Sequence, residues 1–308
     1  MKHSLKITLV LLVMFFITQL IGILVFSIYS PITKQVIDEN GNIKEIKVYN
    51  LPFGMEPPQD IQPKTALTSI IFALVFATAI ILLLMKFKFE TFLRLWFFVV
   101  VTLALAITLN SFLINFQNSS LIALIIALPF SFYKIFKRNT IVHNLTELFI
   151  YPGIATIFVP LLNIWTIVLL LILISLYDMY AVWHSGFMQK MAKYQIEKVK
   201  VFSGFFIPYI GKKERQIIND AKQSGSKKLS KKIKVNVAIL GGGDVVFPMI
   251  LSGVMLYSKG IFGALSIAVG ATLALAVLFY FSKKGKFYPA MPFISTGCLL
   301  ALGIYLLL

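Results

Sequence analysis

The chain has 308 residues, with 29 Lys+Arg against 12 Asp+Glu and a formal charge of +17. Hydrophobic residues make up 58% and charged residues 13%, where a soluble domain runs at roughly 45–50% and 25%. With a mean hydropathy of +0.87, this balance excludes a soluble enzyme, a disordered tail and a fibrous protein, and it makes the position of the cations the first question.

Crossing the bilayer core takes about 20 apolar residues as helix. Nine stretches qualify in chain order, roughly 7–29, 66–85, 91–109, 119–136, 142–161, 163–184, 236–257, 260–281 and 288–307. The first is too long for a signal-peptide core and no A-x-A-like site follows it, so it reads as a retained membrane helix. The connection 30–65 contains Pro31, Pro52, Pro57, Pro58 and Pro63, which predict extended or turn structure. The third, fourth and fifth stretches have ends blurred by Asn110, Asn118 and Asn144, and the fifth and sixth meet in a tight turn at Pro160 to Asn163. Residues 185–235 hold 13 of the 29 cations, an apolar piece from Val201 to Ile210, and a linker-like Gln223-Ser224-Gly225-Ser226. The expected fold is therefore an all-α polytopic membrane protein with nine transmembrane helices. It divides into a six-helix part (1–184), a flexible basic cytoplasmic loop (185–235) and a three-helix part (236–308). No internal repeat is visible.

With nine spans, 24 cations fall on the side of the N-terminus. Five, Lys34, Lys44, Lys47, Lys64 and Lys259, fall on the other. The positive-inside rule then predicts a cytoplasmic N-terminus and an extracytoplasmic C-terminus. The cations beside the membrane attract anionic lipid, worth about 1 kcal/mol each near the surface. Nucleic acid is not an expected partner, because no folded basic domain or stacking platform is present. The single cysteine, Cys298, lies in the last apolar run, and His3, His143 and His184 are scattered. Neither a metal site nor a cofactor is expected.

The 12 acids are more informative. Five lie in the 30–65 connection, three in 185–235, and Glu90 and Glu147 read as lying near helix ends. Asp178 and Asp244 remain, each inside a strongly apolar span. A carboxylate at the centre of a membrane helix costs about 2.5–3.5 kcal/mol on insertion scales, which makes each a functional candidate. Asp178 lies about six residues before the cytoplasmic end of its span and Asp244 about eight to ten after the start of the next. At about 1.5 Å per residue, both sit roughly 9–15 Å below the same face. Two carboxyls that meet there share one proton near neutrality. One carboxylate can take a proton from a water while its protonated partner donates to a carbonyl oxygen, which is the chemistry of aspartic peptide hydrolysis.

The residues before Asp244 are Gly241, Gly242 and Gly243, which permit close backbone approach and weaken a helix locally. Small residues also serve plain helix packing in membranes. No G-x-G-x-x-G follows a strand and no Walker lysine is present, so a phosphate loop is a poor reading. Pro248 one turn later predicts a kink. Lys232 to Val237 alternates polar and apolar and leads into the seventh helix. This predicts a strand able to pair with an unwound substrate, with a solvated basic linker as the alternative.

Tyr177-Asp178, Gly241-Gly242-Gly243-Asp244 and Pro289-Ala290-Met291-Pro292 together resemble the presenilin and signal peptide peptidase family of intramembrane aspartyl proteases. They match that family's Tyr-Asp, Gly-x-Gly-Asp and Pro-Ala-Leu motifs, with Met291 where the pattern has leucine. The resemblance implies that Asp178 and Asp244 are the catalytic pair. It implies that Tyr177 and the three glycines neighbour the site, and that Pro289, Ala290, Met291 and Pro292 shape substrate contact. It also implies transmembrane proteins or peptides as substrates, a compact microbial plasma-membrane homologue and no obligatory partner subunit. Two other readings use the same acids: an ion- or proton-coupled transporter with the Asp pair on broken helices, and a prepilin-type peptidase. Six plus three spans fit neither the related halves of a transporter nor, with the Pro-Ala-Met-Pro segment, a prepilin-type enzyme.

Overall fold

The computed structural model describes residues 5–37, 43–57, 62–137, 139–185, 194–199, 201–210, 235–282 and 288–307. The linker-like 223–226 and residues 232–234 of the expected strand lie outside the described residues. Nine helices are present among the described residues: α1 (Leu5–Ile28), α2 (Pro63–Lys86), α3 (Glu90–Leu113), α4 (Ser119–Phe132), α5 (Thr140–Phe158), α6 (Ile164–Tyr180), α7 (Gly242–Lys259), α8 (Ile261–Phe281) and α9 (Met291–Leu307).

The helix ends follow local chemistry. Pro63 opens α2, where a missing N–H costs nothing. The Asn139 side chain accepts from Ile141 N and Val142 N at the start of α5. At the expected tight turn, a single 3₁₀ turn (Val159–Leu161) ends the fifth span, and Asn163 with Thr166 forms a capping box for α6. One residue, Gly260 at φ +82°, joins α7 to α8.

Packing follows membrane rules, with small residues where backbones meet. A Cβ on Gly270 of α8 would lie 2.7 Å from the Gly297 carbonyl oxygen of α9, and one on Gly297 would lie 2.5 Å from that of Gly270. A Cβ on Gly153 of α5 would fall 1.9 Å from the Ala104 carbonyl oxygen of α3. α1 packs against α5, α7 and α8, whereas α2 makes sparse contacts, chiefly with α3, α6 and the turn after α5.

Among the described residues, seven helices, α1 to α6 with their terminal turns and α8, are long and apolar enough to cross a membrane. Nine spans are expected from sequence; nine helices lie at those places, and two of them fall short of that measure. In α7, 236–241 belongs to a strand, and the 18 helical residues that remain are long enough but not apolar enough, since they include Asp244, Pro248 and Lys259. In α9 residues 288–290 are not helical, which leaves 17.

Strand is the other departure from an all-α expectation. β1 (Ile32–Ile37) and β2 (Ile43–Val48) form an antiparallel hairpin inside the proline-rich connection, from Ile32↔Val48 to Ile37↔Ile43. β3 (Gly204–Ile210) and β4 (Val235–Gly241) form a second, from Gly204↔Gly241 to Ile210↔Val235. The apolar piece from Val201 to Ile210 is thus largely a strand, and the alternating segment before the seventh helix contributes the other.

Candidate active site

Asp178 sits near the end of α6, 5% exposed. Its Oδ2 accepts the Met291 N–H at 3.0 Å, and the Ala290 N–H also donates to the carboxylate. The first N–H groups of a helix have no partner within it, so Asp178 caps α9 from a neighbouring helix. This explains the Pro-Ala-Met-Pro segment: it ends a non-helical approach and presents two backbone donors to the acid. One turn away, Ser175 Oγ donates to Ser295 Oγ at 2.8 Å and ties α6 to α9 a second time.

Asp244 lies in the first turn of α7, not eight to ten residues inside it, because β4 runs directly into the helix. Its carboxylate accepts the N–H of Gly241, the N-cap residue, which is the return half of a capping box. Asp244 is partly exposed, and its carboxyl is close enough to that of Asp178 for the two charges to repel. The structure therefore brings both acids together, with α6 packed on α7 and α9 packed on both.

The three glycines differ. A Cβ on Gly241 would lie 3.2 Å from Asp244 Oδ2. One on Gly242 would meet Ser203 Oγ and Tyr151 Cε1 at 2.9 Å each, so the middle position has no room for a side chain. Gly243 is exposed, with nothing nearer than Phe247 at 3.6 Å. Pro248 withholds the N–H that would bond the Asp244 carbonyl, and buried Gln19 of α1 donates to the next carbonyl, that of Val245, at 3.0 Å. Tyr177 adjoins Asp178 in sequence, but its ring points outward and is half exposed. Pro289 and Met291 are buried, while Pro292 is half-buried and borders an apolar groove between α8 and α9 that reaches neither acid.

Sequence reasoning missed Ser175, Ser295, Gln19, Tyr151 and Ser203, whose common residue types carry no spacing signal. It also placed Glu147 near a helix end. Glu147 lies seven residues into α5, fully buried, with Lys134 Nζ 2.5 Å from its Oε1. The pattern His143-x-x-x-Glu147, which puts two titratable groups on one helix face, was the available hint.

The register fixes which backbone groups of the β3–β4 hairpin are used. Phe206 N donates to Asn144 Oδ1 at 2.9 Å, so it cannot donate to β4. Phe206↔Ile239 is therefore a non-bonded pair of the ladder, as are Gly204↔Gly241, Pro208↔Val237 and Ile210↔Val235. Pro208 agrees, since it has no N–H to give. The N–H and C=O groups of Val235, Val237 and Ile239 then face the other edge of the sheet. Among the described residues none pairs with those of Val237 or Ile239, and Ile239 is exposed.

Residues 46–307 match the family described as signal-peptide peptidase, presenilin aspartyl protease. No curated protein sequence matches the chain. Two solved structures of a presenilin family intramembrane aspartate protease, in C222 and P2 space groups, align with it at TM-scores of 0.57 each. They are 17% and 18% identical to it, each alignment covering 96% of this chain and 95% of the other, which shows a shared fold. The motif-bearing helices lie within the matched residues, and the chain belongs to the signal-peptide peptidase and presenilin family of intramembrane aspartyl proteases, multi-pass proteins of the membrane.

Proposed function

We propose that this chain is an intramembrane aspartic endopeptidase that hydrolyses peptide bonds within transmembrane segments of other membrane proteins, with Asp178 and Asp244 as the catalytic pair. The observation that carries the reading is the meeting of the two acids across α6 and α7, each held by backbone N–H groups. The pair holds one proton between them. One carboxylate takes a proton from the attacking water as its oxygen adds to the scissile carbonyl. The other gives its proton to the carbonyl oxygen, and the leaving amine is protonated as the tetrahedral intermediate collapses. Hydrogen bonds from Met291, Ala290 and Gly241 orient the carboxyls.

A helical peptide bond is shielded by its own hydrogen bonds, so the substrate has to unwind. The edge of β4 supports strand addition: Val235, Val237 and Ile239 offer outward backbone groups on the strand that ends at Gly241, three residues before Asp244. This places the cut strand beside the acid. Tyr177 and Gly243 border the site from α6 and α7, and Pro289 to Pro292 flank it from α9. The N-terminus faces the cytoplasm, with 1–184 and 236–308 as two helical parts joined through the basic 185–235 stretch. The single chain acts without a partner subunit.

The test is cleavage of a single-span substrate by the purified chain in detergent or liposomes, beside Asp178→Asn and Asp244→Asn. Cleavage by the parent and a rate lower by about 10²–10⁴-fold in either variant is expected; parental cleavage by both variants overturns the reading.

A further inference from the structure

The outer edge of β3 is occupied, and by side chains. Asn144 of α5 exchanges both bonds with Phe206: its Nδ2 donates to the Phe206 carbonyl at 2.8 Å and its Oδ1 accepts the Phe206 N–H at 2.9 Å. Its amide thus stands in for a strand residue. At Gly204, Glu147 Oε1 accepts the N–H at 3.3 Å, and His143 Nε2 lies 2.8 Å from the carbonyl oxygen. Pro208, the next outward residue, needs no donor partner. Every outward N–H of β3 from Gly204 to Pro208 is therefore satisfied or absent.

Lys134, from the turn that ends the fourth span, ties this row together. Its Nζ lies 2.5 Å from Glu147 Oε1 and 3.1 Å from His143 Nδ1. A lysine ammonium only donates, so His143 Nδ1 accepts and the ring proton sits on Nε2, the atom facing the Gly204 carbonyl. The side chains of Lys134 and Glu147 are 3% and 1% exposed. A buried charge pair of this kind is weak evidence of stabilisation by itself, which directs attention to what it specifies.

What it touches is one pairing step from the catalytic acid. Gly204 faces Gly241 across the hairpin, and Gly241 caps α7 and donates to Asp244. Tyr151, one turn beyond Glu147, and Ser203, beside Gly204, wall in Gly242. We propose that Asn144, His143 and Glu147, tethered by Lys134, are positioning residues that close the β3 edge of the hairpin, leave its β4 edge to the substrate strand, and set Asp244 through the Gly204–Gly241 pairing. The inference rests on the protease reading.

The experiment combines hydrogen exchange over 204–210 and 235–241 with turnover of a single-span substrate and mass analysis of the product ends. The variants are Asn144→Leu and the double substitution Lys134→Met with Glu147→Leu, which removes both charges together. In each, exchange in the two strands accelerates about tenfold or more while α1 and α8 keep parental rates. Turnover falls about tenfold with KM little changed, and product ends spread over neighbouring bonds, because a small misplacement of reacting groups is costly. Parental exchange overturns the proposal, and so does faster exchange with parental turnover and product ends. Should Asn144→Leu lose the protection of α1 and α8, it is not folded, and the double variant reads the same strands. A parent that cleaves nothing sinks the protease reading separately, while unaccelerated exchange still overturns the clamp.

Discussion

Of the 24 residues of α2 only three are buried, Ala66, Leu67 and Ile70, whereas 11 of the 18 residues of α7 are. Yet α2 is long and apolar enough to cross a membrane and α7 is not. In water the more apolar helix would be the more buried one. In lipid, apolar surface needs no protein cover, so hydrophobicity reports contact with lipid while burial reports packing and chemistry. α7 carries an acid, a proline and five glycine or serine positions, and the rest of the molecule closes around it: Met249 against Gly22 of α1, Gly253 against Phe26 and Val159, Ser252 on the Ala264 carbonyl. α2 presents Phe72, Val75 and Phe76 outward.

The contrast breaks most sharply at the acids. Asp178→Asn or Asp244→Asn should lower the initial rate of cleavage by about 10²–10⁴-fold, the usual worth of a positioned acid or base. The melting temperature of each variant should remain near parental. Loss of activity together with loss of folding would make these residues structural.

Next in size is a pair of packing substitutions. In Gly253→Val a Cβ would lie 2.6 Å from Val159 Cγ2 and 2.9 Å from Phe26 Cδ2, so either α7 or these side chains have to shift. Overpacking of this kind costs about 1–3 kcal/mol. Phe76→Ala removes a larger side chain from α2, but an exposed one, and is expected to stay within about 0.5 kcal/mol. Thermal unfolding in one detergent measures both, and equal losses would show that α2 is held by protein as firmly as α7.

Smaller still is the effect of proline on the edge of β4. At Ile239 or Val235 it removes one outward N–H and no ladder bond. The lost hydrogen bond to a substrate strand is worth about 0.5–1.5 kcal/mol, so cleavage should fall roughly 2- to 13-fold with unchanged thermal stability. Undiminished cleavage by both variants would remove strand addition from the mechanism.

The helices were legible because the bilayer imposes a length, and most observed ends fall within a few residues of the apolar runs. The acids were legible because a carboxylate inside such a run is expensive. The hairpins were not. Gly204–Ile210 is a short apolar run with no alternation, and its partner runs without a break into α7, so hydropathy merges strand and helix into one span. That merger misplaced Asp244 along its helix while leaving its identity correct. Lys134 and Glu147 were hidden for another reason: they lie on separate elements and meet only through packing, so each looked like an ordinary charge at a helix end.

Met291 is the one motif position where this chain departs from the leucine of its family's pattern, and the geometry explains why the departure is small. Asp178 is held by the Met291 N–H, which leucine also provides, and the side chain is buried in the core. Met291→Leu conserves volume, so its cost should stay below about 1.5 kcal/mol, with turnover within a few-fold of the parent. Met291→Pro is the matching control. Proline fits a first helical turn, so α9 can still start, but the donor to Asp178 Oδ2 is gone. If the backbone is what the motif supplies, proline lowers turnover and leucine does not. Should leucine cost as much as proline, the side chain itself would be shaping the site.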